Sequence, residues 1–453
     1  MNPLKPKFRL LISYVGWYED KLIDLYHSWP RMFLADEAIF GKLTQKEQME
    51  IFILIDDRVE SSLAGIANKV DRPPLDDQKR KNIKYNSYNF EELFSLFGND
   101  LEKLSKFQSG IINFPEAKKA EEFIKEKLKG FTPNVIYYHR QSQYFVELFP
   151  KAFVFHFDAS PISNEKCISS FWLSNDPVGT NGILANPKIK NFIIPMPEKI
   201  KFYMVLKILK MKIMVKTFNS DTVKFLRLRL KTLVCGKKLL LFPTGWYGYT
   251  NLKDAKKGLN ELIENAANKI NPKKFNIMVT MHPAYIELYN IKLQNKYKHI
   301  VINELSYKQS LQLLPYVDGI LSNGSGVGIQ GKLLLGKPLF VDDVRSASCN
   351  LADGDFTSIN TFFKNKMRPK DLTNVLYFLI KYVFLPRIFE SDPLIWCNYL
   401  QEKINYLENG VSQDSMEFYS TPILSNSQII ETLFRERYKK FKPISYQKPN
   451  GEV

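Results

Sequence analysis

Long apolar runs are missing from this chain. No stretch of its 453 residues approaches the ~18 consecutive apolar residues of a membrane-spanning helix, and the longest, NVLYFLI at 374–380, is closed by Lys381. The early run RLLISYVGW, at about nine residues, also falls far short of that length. Glu19 and Asp20 follow it where a signal peptide would need a small-residue cleavage site, so it is read as a first β-strand. Cysteine is equally sparse: Cys167, Cys235, Cys349 and Cys397 are scattered with no CxxC pair. That argues against a zinc site or a disulfide framework and for four buried free thiols. The expectation is a cytoplasmic protein, with contact at the inner face of the plasma membrane left open.

Acidic residues are also short in supply. There are 47 Asp and Glu against 64 Lys and Arg, a net charge of +17. Such an excess admits nucleic acid, an anionic membrane surface or anionic small substrates as partners. From Lys199 to Lys231 there are ten Lys or Arg against one acid, Asp221, interleaved with Ile, Leu, Met, Val and Phe. KIKFYMVLKILKMKIMVK and VKFLRLRLK therefore have the pattern of basic amphipathic elements lying on a membrane interface. The competing reading is helices that pack their apolar faces on the core and leave their lysines solvated. For nucleic acid, charge is the sole support, because no RNP-type strand, zinc finger or basic zipper is present.

What the chain does have is apolar residues at 45% and aromatics at 13%, enough for packed cores, and a length that exceeds one ordinary core. Strand-like runs at 8–15 and 51–56, then 134–138 and 152–157, alternate with helical spacing across 90–130. This is the rhythm of βαβ units and a parallel sheet. The rhythm restarts with KKLLLFPTG at 237–245 and continues through FNIMVTMHP, VINEL, GILSNGS and KPLFVDD, with helical stretches after the first, third and fourth of these runs. The expected fold is α/β with two Rossmann-like domains facing a cleft and C-terminal helices. Its parts would be residues 1–190, a basic amphipathic linker at 191–235, a nucleotide-sugar domain at 236–364, and a helical segment at 365–453 packing across both. In such sheets ligands bind beyond the C-terminal ends of the strands.

Two loops at those ends carry chemistry. His282, stiffened by Pro283, ends one strand and can donate to a phosphate oxygen. Ser322-Asn323-Gly324-Ser325-Gly326-Val327-Gly328 closes another strand and opens a helix, where glycines, hydroxyls and exposed amides suit an anion. Its spacing is neither GxGxxG nor a Walker loop. Taken alone, the dipeptide and the loop read equally well as ordinary turns.

Together they are more informative. The order HP, a helix ending LLPYVDGIL, SxxS at a helix start, then LLLGKPLFV resembles the nucleotide-sugar half of bacterial GT-B glycosyltransferases that build capsules and lipopolysaccharide. It is most similar to the capsule β-Kdo transferases, and also to bacterial sialyltransferases and CDP-glycerol glycerophosphotransferases. The resemblance spans 236–345. It implies that His282, Ser322 and Ser325 hold the phosphate and ribose of a cytidine nucleotide, with Pro283, Gly324, Gly326, Thr244, Gly245 and Gln330 beside them. It implies a nucleotide-sugar donor, CMP-linked in preference, a saccharide acceptor, and no metal. Two departures stand out: Gln330 and Gly331 occupy the place of an acid after the serine loop, and FPTGWYGYT lacks the expected Asp.

The first half offers an acceptor side. YYHRQSQYFVELFPKAFVFHFDASP and FWLSNDPVGTN put His139, Arg140, His156, Asp158 and Asp176 at or near strand ends. A carboxylate there suits a general base on an acceptor hydroxyl, and His or Arg suits an anionic sugar. Asp158 is the first choice of base and Asp176 the second; each is also read as a cap or turn residue. Asp342 and Asp343, a pair with the chemistry to bind Mg²⁺, are assigned a solvated or capping role. The resulting expectation is a glycosyltransferase acting on a surface polysaccharide or lipid-linked saccharide. The alternatives are CDP-alcohol phosphotransfer and a non-catalytic basic nucleic-acid-binding or scaffold protein.

Overall fold

The structure, a computed structural model, describes residues 8–14, 49–57, 83–108, 111–138, 144–158, 170–172, 184, 186–213, 220–244, 252–281, 286, 288–304, 307–323, 325–342, 349–386, 393–413 and 415–419. It is built on two sheets. The first uses β1 (Phe8–Tyr14), β2 (Met49–Asp56), β3 (Ile83–Tyr88), β4 (Val135–Tyr138), β5 (Phe153–Asp158) and β6 (Ser170–Trp172). The second uses β7 (Lys238–Pro243), β8 (Phe275–Met281), β9 (Ile300–Glu304), β10 (Gly319–Ser322), β11 (Leu339–Val341) and β12 (Gly354–Asp355). A last strand, β13 (Phe384–Pro386), returns to the first sheet and lies antiparallel to β6.

In the first sheet the order is β13-β6-β5-β4-β1-β2-β3, parallel from β5 through β3. The period of two explains why its strands read as unbroken apolar runs. Leu10, Ile12, Ile51, Ile53, Val135 and Phe153 face one core, while Leu11, Phe52, Leu54, Ile136 and Val154 face another. Both faces are covered, as parallel sheets require. On the second face lie helices Phe90–Ser95, Leu101–Gln108 and Pro115–Lys127, which bury Leu93, Leu104, Phe107, Ala117, Ala120 and Ile124 at helical spacing. Strands β3, β6 and β13 are not legible in the sequence. Their sequences, IKYNSY, SFW and FLP, are polar or too short to show a strand period.

The second sheet is wholly parallel, in the order β12-β11-β10-β7-β8-β9. Counted within the sheet, this is the order 3-2-1-4-5-6 of doubly wound dinucleotide folds, which reverses between β7 and β10. Each strand expected from the second-half rhythm is present.

The segment 196–234 forms two helices, Met196–Ile213 and Ser220–Val234, which give Phe202, Leu206 and Phe225 to the core. Arg229 donates to both carboxylate oxygens of Asp318, and Asp318 also accepts from the Leu239 amide at 2.8 Å, tying the second helix to the start of β7 and β10. Cys235, at the turn that ends this helix, is free but exposed, against the expectation of burial; Cys349 is free and half-buried. The cause is local, because the helix stops in the left-handed turn of Gly236, whose φ is +66°.

Beyond β12 the chain runs through helices Ile359–Lys364 and Thr373–Phe378, the latter continuing as a π-turn to Val383, and then β13 and helix Pro393–Glu408. NVLYFLI is thereby a core segment: Val375 through Ile380 are all buried. Strand β6 pairs with β5 only from His156 to Asp158. Gln413 occupies the backbone groups left open at Val154, accepting from its amide at 3.1 Å and donating to its carbonyl at 2.6 Å. One buried apolar cluster runs from Leu10 and Val135 through Tyr377, Phe378 and Phe418 to Leu240 and Phe340, so residues of both sheets share it.

Candidate functional site

The order reversal between β7 and β10 fixes where to look. Because the strands are parallel and neighbours, the C-terminal ends of β10, β7 and β8 lie side by side. Leu241 is level with Ile320 and Pro243 with Thr280, so Ser322, Thr244 and Met281 emerge at one rim. His282 follows Met281 directly, but His282 and Pro283 lie outside the described residues, as do Gly245 and Gly324.

At this rim Thr244 is a fastener. Its hydroxyl donates to the Thr280 carbonyl at 3.0 Å and therefore accepts from the Tyr289 hydroxyl at 2.7 Å, since one hydroxyl has one proton to give. Thr244, Thr280 and Tyr289 are all buried. Asn260, on helix Leu252–Lys269, donates to the Leu288 carbonyl and accepts from the Asn290 amide, each at 2.9 Å. The connection that carries His282 is thus anchored before it by Met281 on β8 and after it by Leu288, Tyr289 and Asn290. Thr244 is among the residues expected from sequence, whereas Tyr289 and Asn260 are not, because their partners are 28 to 45 residues away in the chain.

Ser322 ends β10 fully buried, and its Oγ accepts from the Ser325 amide at 3.2 Å, which bends the chain into the helix Gly326–Leu335. Ser325 is the N-cap, with extended backbone, and its side chain makes no capping bond. The first intrahelical bond runs from the Ile329 amide to the Ser325 carbonyl at 3.1 Å. Helix geometry leaves the amides of Gly326, Val327 and Gly328 without intrahelical acceptors, at the positive end of the dipole. Ser322 thus shapes the loop, while Ser325 and Gly326 at the helix start are half-exposed and Val327 and Gly328 are buried behind them.

The glycines have a packing role too. A Cβ at Gly328 would lie 2.9 Å from Ser322 Oγ, and one at Gly331 would lie 2.2 Å from Ile320 Cδ1 and 2.8 Å from Leu314 Cδ2. The helix therefore sits flush on β10. Gln330 is buried in that packed face, and Gly331 occupies the next position because no side chain fits there. Lys332, one residue on, is buried in a closed pair with Asp353, at 2.8 and 2.9 Å. Burial pushes its pKa down, partly offset by Asp353. The Asp353 carboxylate is completed by the amides of Leu339 and Lys370, at 2.8 and 2.7 Å. Every member of this group has a partner, so it holds the helix and offers nothing to a ligand. Asp342 follows β11 half-buried, and Asp343 lies outside the described residues.

In the first sheet, β5 carries His156 and ends at Asp158, level with Ser170 of β6. That order, too, reverses between β1 and β4, and β4 ends at Tyr138 just before His139 and Arg140. His139, Arg140 and Asp176 are outside the described residues. A cavity of about 480 Å³ lies at the opposite rim of the second sheet, lined by Lys237, Asn268, Lys296, Lys298 and His299. It borders the N-terminal starts of β7 and β9, away from the strand ends where doubly wound folds bind ligands. Among the described residues no group of three or more His, Cys, Asp or Glu could hold a metal ion, and no helix is long and apolar enough to cross a membrane.

No family model matches the chain, and no curated protein matches it. Solved structures do. A UDP-GlcNAc 2-epimerase from Methanocaldococcus jannaschii is similar at 14% identity over 80% of this chain and 93% of that one, with a TM-score of 0.27. The calicheamicin glycosyltransferase CalG4 is similar at 9% identity over 94% and 98%, TM-score 0.31. A β-Kdo 2,7-transferase from Thermosulfurimonas dismutans is similar at 12% identity over 53% and 74%, TM-score 0.31. At such scores these likenesses stand beside the topology and do not extend it.

Proposed function

We propose that the chain is a glycosyltransferase that takes a sugar from a nucleotide-activated donor, a cytidine-linked one in preference, and passes it to a saccharide hydroxyl. The single observation that carries this reading is the reversal of strand order between β7 and β10, with the Ser325-capped helix opening at that point. Helix amides without internal acceptors suit a phosphate, and the strand that leads into His282 ends at the same rim. In this reading the donor phosphate rests on the amides of Gly326, Val327 and Gly328 with the Ser325 hydroxyl, and His282 donates to a second oxygen.

The chemistry follows from charge. An acceptor hydroxyl loses its proton to a base, for which Asp158 is the first choice and Asp176 the second, and its oxygen attacks the anomeric carbon. The bond from that carbon to the nucleotide's phosphate oxygen breaks. Negative charge grows on the leaving phosphate, and preorganised donors there lower the barrier. His139, Arg140 and His156 would meet an anionic acceptor, and the acceptor would be a surface polysaccharide or lipid-linked saccharide.

Product analysis tests the proposal. The purified protein is incubated with CMP-sugars, UDP-sugars and CDP-glycerol, with a saccharide acceptor. Sugar transfer from a CMP-sugar is expected. Transfer of glycerophosphate would move the same phosphate site to CDP-alcohol chemistry, and no turnover of any donor, with no nucleotide bound, would overturn the reading.

A further inference from the structure

The two helices between the sheets each carry an exposed face that the proposed chemistry does not use. Helix Met196–Ile213 buries Phe202 and Leu206, with Phe202 meeting the Tyr377 ring edge-on at 5.0 Å, and holds Glu198 2.8 Å from Lys381. On the opposite side Met196, Ile200, Tyr203 and Met204 recur at the i, i+4, i+7, i+8 spacing of one helical stripe. Their exposures are 70%, 66%, 48% and 66%. Lys207 and Lys210, also exposed, continue that stripe. The helix is apolar on two faces, and one of them is in water.

Helix Ser220–Val234 repeats the arrangement. It buries Phe225 and Thr232 and presents Val223, Arg227, Leu230, Lys231 and Val234 along one exposed stripe, with Leu230 at 62% and Val234 at 87%. Cations and bulky apolar side chains share each exposed face: on the second helix they alternate, and on the first the lysines follow the apolar residues.

We propose that these stripes seat the protein on the surface of an anionic lipid bilayer. The interleaving selects that occupant. In a protein–protein interface the buried centre is depleted of lysine, because each ammonium there would need a partner or lose its hydration. At a bilayer surface the same pattern is stable: Ile200, Met204 and Leu230 enter the boundary of headgroups and acyl chains, while Lys207, Arg227 and Lys231 extend their stems to lipid phosphates. The sign of the charge matches as well. Glu198, at the start of the first helix, already faces Lys381, Asp371 lies within electrostatic reach of Lys199 and Lys210, and between Lys199 and Lys231 the one acid is Asp221. This inference stands on exposure and charge and does not depend on the donor site.

Vesicle flotation of the full chain tests it, using phosphatidylcholine alone and phosphatidylcholine mixed with phosphatidylglycerol. The protein should float with the mixed vesicles, sink with phosphatidylcholine alone, and lose binding as salt rises. Two double variants, I200S with M204S and K207E with R227E, should each weaken flotation about tenfold or more at unchanged melting temperature, since every changed side chain is exposed. Equal recovery with both vesicle types, recovery with neither, or variants that float like the wild type would overturn the proposal. So would a dimer in sedimentation velocity that I200S with M204S abolishes, because it would assign the stripe to a second copy of the chain.

Discussion

Lys403 lies on helix Pro393–Glu408 fully buried, donating to the Phe418 carbonyl, with the rings of Tyr406 and Phe418 centred 5.3 and 5.0 Å from its nitrogen. Burial pushes its pKa from 10.5 down to about 8. Between those two values the unfolded chain keeps a proton that the native chain has released, so raising the pH across that window stabilises the fold. Lys332 and Lys337 are shifted in the same direction by burial, so the Lys403 share must be isolated by difference. The melting temperature of wild type minus that of Lys403→Met should climb from pH 8 to pH 10; a flat difference would contradict the assignment. Lys332 tests the other kind of buried cation. Lys332→Ala strands the Asp353 carboxylate in the interior and should cost about 3–5 kcal/mol in urea unfolding. Neither residue is legible in the sequence, where each is one lysine among many. Their partners, Phe418 and Asp353, are 15 and 21 positions away, and only the folded chain brings them together.

At the scale of elements, the helix Gly326–Leu335 connects sequence to site. The run SNGSGVGIQGKLLLGKP announces its start and stop: Ser325 caps it, and Gly336, with φ at +64°, ends it ahead of Pro338. The strand before it and the loop were therefore readable from the residues. What was not readable is the division of labour within the loop, because Ser322 and Ser325 look alike in sequence and differ only in where they point. Gly331→Ala should cost about 1–3 kcal/mol, as the new methyl must displace Ile320 and Leu314 beneath the helix. Chemical denaturation would show it, and an unchanged midpoint would contradict the flush packing. Gly328→Ala acts on the loop itself, since the methyl meets Ser322 Oγ at 2.9 Å. It should weaken nucleotide binding with a smaller loss of stability; binding equal to wild type would show that the Ser322–Ser325 bend is immaterial. The strands missed from sequence, β3, β6 and β13, are those whose pairing is set by a neighbouring strand rather than by their own alternation.

For the whole molecule, the α/β class and the doubly wound second sheet follow from the alternation of short apolar runs and helical spacing. The return of the chain to the first sheet does not, because Gln413 and β13 reveal their partners only in the fold. That return has an energetic consequence. Since one buried cluster contains residues of both sheets, scanning calorimetry should record a single unfolding transition, and two well-separated transitions would contradict a shared core. Among the described residues, part of the net positive charge of +17 is exposed along the stripes of 196–234. The central claim remains the anion site at the rim of the second sheet, and calorimetric titration of CMP, CDP, UMP and UDP into wild type and His282→Ala addresses it directly. The account predicts that a cytidine nucleotide binds the wild type and that the variant binds it about tenfold or more weakly, the loss of one hydrogen bond to a charged group. Absence of binding by every nucleotide, or identical affinity in the variant, would contradict it.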